Sequence, residues 1–526
     1  MKMTIRLDAP GMTSLHKAGL AGLYLTLRAF EEAGQQITGL EWELQPTQVT
    51  LNWQDEKPKQ AFEELITKSF WLDNGFIRLT GLEVSRPPTP DQKHHLYTAL
   101  LNSFLQFGPH RPTSGKKTLS YEVDDRQCWI KDFAPIKEFR HQFAVSDFIN
   151  DEGHFKESIE AAGWLYPGGG QRHVVHNDTK LNEPVEPALA LLFAPVGVIY
   201  YTIRSRSKGR KARLAMLVSE VRDLALYAEI RQAFAAQGVF EMTASSASDA
   251  ALQMLTVIEA NRASNTFAQF LDGPFVCRVI TFGIVSWNEK QKSRTYTRSV
   301  FSGHLPGLEN YRKAAAIFKN RWQRVQASYD RKGNQTEPER YFVTTFSARE
   351  FIADNIARGI AWYQDLTTYL RHKETREQVQ YERKELYEMV ETASFNDESE
   401  RLFIRVCHES WRRRLGKLGE RARKENLGDI GFRRLVGKEA ERLRTSLSRS
   451  KNSETLRETV VDFWSRAGGN ELLRAKGLTK LLPLFDEKNW KKARDLALLA
   501  LISYQPQTEE EEKALTTTTN EEGEDQ

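Results

Sequence analysis

From about Ser347 to Tyr504 the apolar residues return at steps of three and four, a period that fits amphipathic α-helix and little else. In Arg401–Lys424 they are Phe403, Val406, Cys407, Trp411, Leu415, Leu418 and Ala422, one continuous stripe. The same period predicts helices over Ile430–Leu447, Glu454–Arg466, Glu471–Leu481 and Lys488–Tyr504, with turn signals at Gly428, Gly468–Gly469 and Pro483. Short connections between such helices argue a bundle.

The first ~370 residues show no single period and read as mixed α/β. A strand over Thr4–Leu7 leads to a helix capped by Ser14 and running to Glu32. Gly19 and Gly22 each weaken that helix by about 1 kcal/mol relative to alanine, so their use is close packing against a neighbour. Leu40–Leu44 and Gln48–Trp53 alternate around Pro46 as a hairpin. Ala188–Tyr201 is the longest nearly apolar run; it is too short to span a membrane, carries Pro195 and Gly197, and reads as a buried strand. A second hairpin pairs Phe275–Trp287 with Arg294–Phe301. The expected class is therefore α+β. A mixed α/β region with basic β-hairpins covers 1–370, an all-α helical bundle 371–505, and a disordered acidic tail 506–526.

The net charge of +5 averages two unlike pieces. Residues 506–526 hold eight acids and one base, so the body carries +12. Within it, Arg401–Lys451 has sixteen Lys or Arg against six Asp or Glu. Such a surface suits a polyanion, the alternative being solubility alone. The loop holding Arg204, Arg206, Lys208, Arg210, Lys211 and Arg213 contains no acid, and a phosphate backbone would relieve its self-repulsion. Lys290, Lys292 and Arg294 sit at the second hairpin tip; Lys116 and Lys117 end a Pro-rich loop. Arg172, His173 and Asn177 lie in a Gly-rich loop whose backbone allows close approach to a base edge or phosphate. Arg412, Arg413 and Arg414, with Arg433 and Arg434, give the bundle a cationic face that either binds a backbone or is merely solvated.

Bond-breaking chemistry finds no constellation. Gly108 and Gly115-Lys116-Lys117 miss the phosphate-loop pattern, with six residues between the glycines and lysine where Ser or Thr belongs. No C-x2-C exists; His173, His176 and Asp178 are the one close group with ligand chemistry, and a third ligand is unproven. His94-His95 reads as a solvated pair, Cys128 and Cys407 as small hydrophobes. No cofactor is expected. Three scattered cysteines and a start without an apolar stretch point to a reducing cytoplasm. The competing readings are a metal-dependent nuclease and a protein-interaction scaffold.

Met12–Glu31 (MTSLHKAGLAGLYLTLRAFE) resembles the opening of the large subunit of type I CRISPR surveillance complexes (Cascade), in the Myxococcus-subtype branch of type I-B. Gly163–His173 (GWLYPGGGQRH) and Leu189–Tyr201 (LALLFAPVGVIYY) look like further blocks of that family. The resemblance implies a non-catalytic subunit that sits at the guide RNA handle and inspects duplex DNA for the protospacer-adjacent motif. It also helps open the duplex and stabilise the R-loop, holding the displaced single strand. Implied partners are the guide RNA, the target DNA, and the backbone, handle-processing and small subunits, with either a helicase–nuclease or a transposition targeting factor recruited. In related systems the small subunit arises by internal translation; Met389, the only methionine after Met254, is a candidate start.

Overall fold

The computed structural model describes residues 1–83, 87–105, 112, 115–168, 181–207, 212–261, 276–286, 291–301, 305 and 307–506, with backbone alone for 284–286, 291–299, 301 and 475–476. The chain divides into two compact units. One comprises Met1–Ser205, Lys211–His304 and Asn320–Thr345; the other comprises Arg206–Arg210, Leu305–Lys319 and Phe346–Gln526.

The first unit is mixed α/β. A three-stranded antiparallel sheet places Gln48–Trp53 between Lys2–Arg6 and Leu40–Gln45, which bears out the first hairpin. The helix Ser14–Glu32 is capped one residue earlier than expected, by Thr13. The Thr13 hydroxyl lies 2.7 Å from His16 Nδ1, and Glu183 lies 3.6 Å from His16 Nε2. The Thr13 backbone N–H also donates to that Nδ1, which occupies the lone pair a catalytic base would need and makes the group a capping box. Gly19 and Gly22 do serve close packing: a Cβ on either would strike the carbonyl oxygen of Ala190 or Phe193.

Those carbonyls belong to the long apolar run, which is not a strand. It forms a helix over Val185–Leu192, a short helical turn over Ala194–Gly197, and only then a strand over Ile199–Ile203. Pro195 sits in the first turn, where its missing N–H removes no intrahelical bond. A run buried on every side carries no period to separate helix from strand, so the sequence pattern alone misassigns it.

Ile199–Ile203 joins a five-stranded sheet in the order Thr243–Ala244, Ile199–Ile203, Ala212–Ser219, Val276–Ser286, Gln291–Phe301. The first pair is parallel and the others antiparallel. Leu214 to Val218 are all buried, as a central strand covered on both faces requires. A four-stranded sheet orders Arg321–Val325, Arg340–Thr344, Arg126–Phe133 and Lys117–Val123. All four of its strands escape the sequence reading; Arg321–Val325, for one, is polar and largely exposed, without clear alternation.

The second unit is helical. The stripe from Phe403 to Ala422 is buried along its length in the helix Glu398–Lys424. The helices Gly428–Arg449, Ser453–Ala467 and Trp490–Ser503 match expectation within a few residues. Glu471–Lys476 is shorter than predicted, because Gly477 turns to φ 78° and a 3₁₀ turn follows. Asn452 and Asn470 cap two of these helices through their side chains, and Asn470 also donates to the Val406 carbonyl (3.0 Å) and Ser410 Oγ (3.0 Å). Buried Asp495 accepts from the Asp365 N–H (2.8 Å); burial pushes its carboxyl up to about 6. Met389 is fully buried in the helix Arg383–Thr392.

Candidate nucleic-acid interface

Strand register puts both basic hairpin ends on one side of the five-stranded sheet. Thr202 pairs with Leu214, and the connecting loop spans 204–211. Ala212 pairs with Gly283 on the next strand, which continues to Ser286. The paired ends Ser286 and Gln291 therefore lie at the same sheet end as Thr202 and Leu214. In the second hairpin Lys292 stands opposite Val285 and Arg294 opposite Gly283. Arg294, Gly283 and Ala212 thus lie in one row across adjacent strands, about 10 Å from end to end.

The root of the first loop is held firmly. The Arg204 N–H donates to the Ala244 carbonyl (2.8 Å), and the Arg204 carbonyl accepts from Thr345 Oγ1 (2.5 Å). Its side chain is exposed, as is that of Arg213. Desolvation by the groups packed around it and, less strongly, the charge of Arg213 lower Arg204 from its ordinary value, and among the described residues neither arginine forms an ion pair. Beside Arg204, His94 Nδ1 lies 2.6 Å from the Tyr121 hydroxyl. Burial, reinforced by Arg204 and His95, pushes His94 down to about 3. His95 is buried with Nε2 3.1 Å from the Tyr200 carbonyl, and burial holds it down at about 4. The expected solvated pair is therefore two neutral, packed imidazoles. A doublet of histidines in a helix shows one face to solvent only if nothing packs there, and here a sheet edge and strand 199–203 do.

Lys116 and Lys117 are exposed at the start of the edge strand that carries Tyr121, which lies about 13 Å further along. Arg206 is half-buried. Lys208, Arg210, Lys211, Lys290, Arg172, His173 and Asn177 lie outside the described residues, as do His176 and Asp178. For Lys292 and Arg294 only the backbone position is given.

The bundle arginines have different surroundings. Arg412 and Arg413 share Glu409, at 2.8 and 2.6 Å. Arg414 reaches across to Glu439 on the next helix, at 2.8 Å. Arg433 is half-buried and Arg434 exposed, neither in an ion pair among the described residues. His94 and Tyr121, which sequence reasoning did not attach to the site, are brought there by tertiary packing alone. Among the described residues no group of three His, Cys, Asp or Glu is arranged to hold a metal ion, and no helix is long and apolar enough to cross a membrane. The site offers cations and hydrogen-bond donors on a rigid sheet end.

Residues 4–192 match the family model of the DevT N-terminal domain, and residues 391–526 match that of the DevT C-terminal domain. Over 530 aligned residues, 96% of this chain and 88% of the relative, the chain is 29% identical to the CRISPR-associated protein Cas8a1/Csx13 of Myxococcus xanthus (strain DK1622).

Proposed function

We propose that this chain, similar at both ends to DevT and along nearly its whole length to a Cas8a1/Csx13 protein, is the large subunit of an RNA-guided CRISPR effector complex. In this reading it is a DNA-binding subunit without catalysis of its own. It recognises the protospacer-adjacent motif in duplex DNA and stabilises the R-loop, while guide–target pairing reads the sequence, a division of labour known from single-protein effectors. The observation that carries the reading is the pair of exposed arginines, Arg204 and Arg213, rooted on a rigid sheet end with no carboxylate paired to either among the described residues. An uncompensated pair of guanidiniums on a rigid support is what a phosphate backbone relieves.

In this reading Lys290, Lys292 and Arg294 of the second hairpin and the exposed Lys116 and Lys117 add further phosphate contacts. The Gly-rich loop with Arg172, His173 and Asn177 supplies contacts to a base edge or phosphate. The helical region, through Arg412–Arg414, Arg433 and Arg434, lies along the displaced strand beside the small subunits. The complex works in the cytoplasm with its guide RNA and its backbone and handle-processing subunits, and recruits a helicase–nuclease or a transposition targeting factor. The test is co-purification of the chain with its neighbouring gene products, sequencing of bound RNA, and duplex binding across salt. Repeat-derived guides and an affinity that falls steeply with salt are expected. An assembly without RNA that ignores duplex DNA at low ionic strength overturns the reading.

A further inference from the structure

Arg231 sits on the buried face of the helix Leu224–Ala235 and is 4% exposed. Its Nε donates to the Val196 carbonyl (3.0 Å), the one hydrogen bond it makes among the described residues, none of whose carboxylates pairs with it. A guanidinium has five N–H donors, so most of this group's hydrogen-bonding capacity is unused. The side chain lines a cavity of about 50 Å³. His95 lines the same cavity. Its Nε2 lies against the Tyr200 carbonyl, which requires the ring proton there. The buried Nδ1 is then a bare acceptor, without a partner among the described residues.

The other cations of the cavity wall are already neutralised. Arg78 binds Glu83 through two nitrogens and Asp73 at 3.0 Å, and Lys93 binds Asp73 at 2.7 Å. Among the described residues of the wall the charge of Arg231 is therefore the uncompensated one, and burial disfavours it. A single water needs only about 10–15 Å³, so the space admits a group of several heavy atoms.

The geometry points to a binding site for a phosphate group in this cavity, with the free Arg231 donors taking the phosphate oxygens and His95 Nδ1 accepting from a P–OH. The donor–acceptor pairing selects the monoprotonated anion. Phosphate carries such a proton near neutral pH, with a second pKa near 6 for its esters, and sulfate does not. The ligand is either inorganic phosphate or a terminal phosphate on a nucleic-acid strand.

The test uses the full chain in phosphate-free buffer. Inorganic phosphate at millimolar concentration is expected to raise Tm by about 3 °C or more, with sulfate at equal ionic strength raising it less. Arg231→Met is expected to be no less stable without phosphate and to lose the phosphate response. A wild-type chain indifferent to phosphate, a variant that responds equally, or equal responses to phosphate and sulfate overturns the proposal. Should the variant not fold, the phosphorus resonance of phosphate titrated with wild-type chain decides: broadening supports the site, its absence overturns it. A 5′-phosphorylated trinucleotide beside its 5′-hydroxyl form identifies the source, and a site indifferent to both free and terminal phosphate is no phosphate site. Duplex binding measured in parallel separates this outcome from that of the sheet-end arginines, which lie outside the cavity.

Discussion

Two arginine clusters look alike in the sequence and differ in the fold. Arg204 and Arg213 flank a hairpin loop, exposed and without ion pairs among the described residues; Arg412, Arg413 and Arg414 ride one helical turn and all three meet carboxylates. A strand pair fixes its two ends side by side and gives their side chains few neighbours on the solvent face. A helix places residues three and four apart together, so an arginine there readily finds a glutamate on its own face, as Arg412 and Arg413 find Glu409. Local charge counted from sequence therefore overstates what the bundle has free to offer a polyanion, and understates the sheet end.

The sharpest way to break this comparison is charge reversal at the hairpin root. Arg204→Glu with Arg213→Glu is expected to weaken duplex binding by on the order of 100-fold at low salt and to reduce the slope of log K against log salt by about 2, read by fluorescence anisotropy. An unchanged slope removes the sheet end from the interface.

The next effect concerns the packing behind that root. His94 is held down at about 3, below its ordinary value of 6.5. On acidification below 6.5 the unfolded chain takes a proton that the folded chain refuses, so stability falls by up to about 1.4 kcal/mol per pH unit. This continues until the folded-state value is reached. Urea titrations between pH 7 and 5 should show the fall, and His94→Gln should lessen it, the part that remains coming from other buried histidines such as His95.

Arg414→Met tests the opposite pole of the comparison. The Arg414–Glu439 pair is largely shielded from solvent, so its loss should cost about 1–2 kcal/mol in chemical denaturation. Duplex affinity should stay within about twofold of wild type, since the charge removed was already paired. The smallest expected effect comes from Glu409→Gln, which frees Arg412 and Arg413. If the helix contacts the displaced strand, single-strand affinity in the assembled complex rises by about two- to threefold. No change means that this face is only solvated.

The helical stripe, both hairpins and the packing role of Gly19 and Gly22 were legible because each depends on neighbours in sequence: a period, a turn, a missing Cβ. The apolar run from Ala188 was misread because burial on all sides erases the period. The pairing of Arg340–Thr344 with Arg126–Phe133 joins segments some 200 residues apart, and no local pattern announces it. The histidine doublet was misjudged for the same reason, since Tyr121 and Tyr200 come to it from distant strands.

What this chain's sequence determines by itself is where each backbone type begins and how much charge of each sign it carries, because covalent spacing and side-chain chemistry are local quantities. Which charges stay unopposed was left to the tertiary structure. Coulomb attraction depends on distance through space, and only the packed chain brings Glu439 to Arg414 while leaving Arg204 and Arg213 without an ion pair among the described residues.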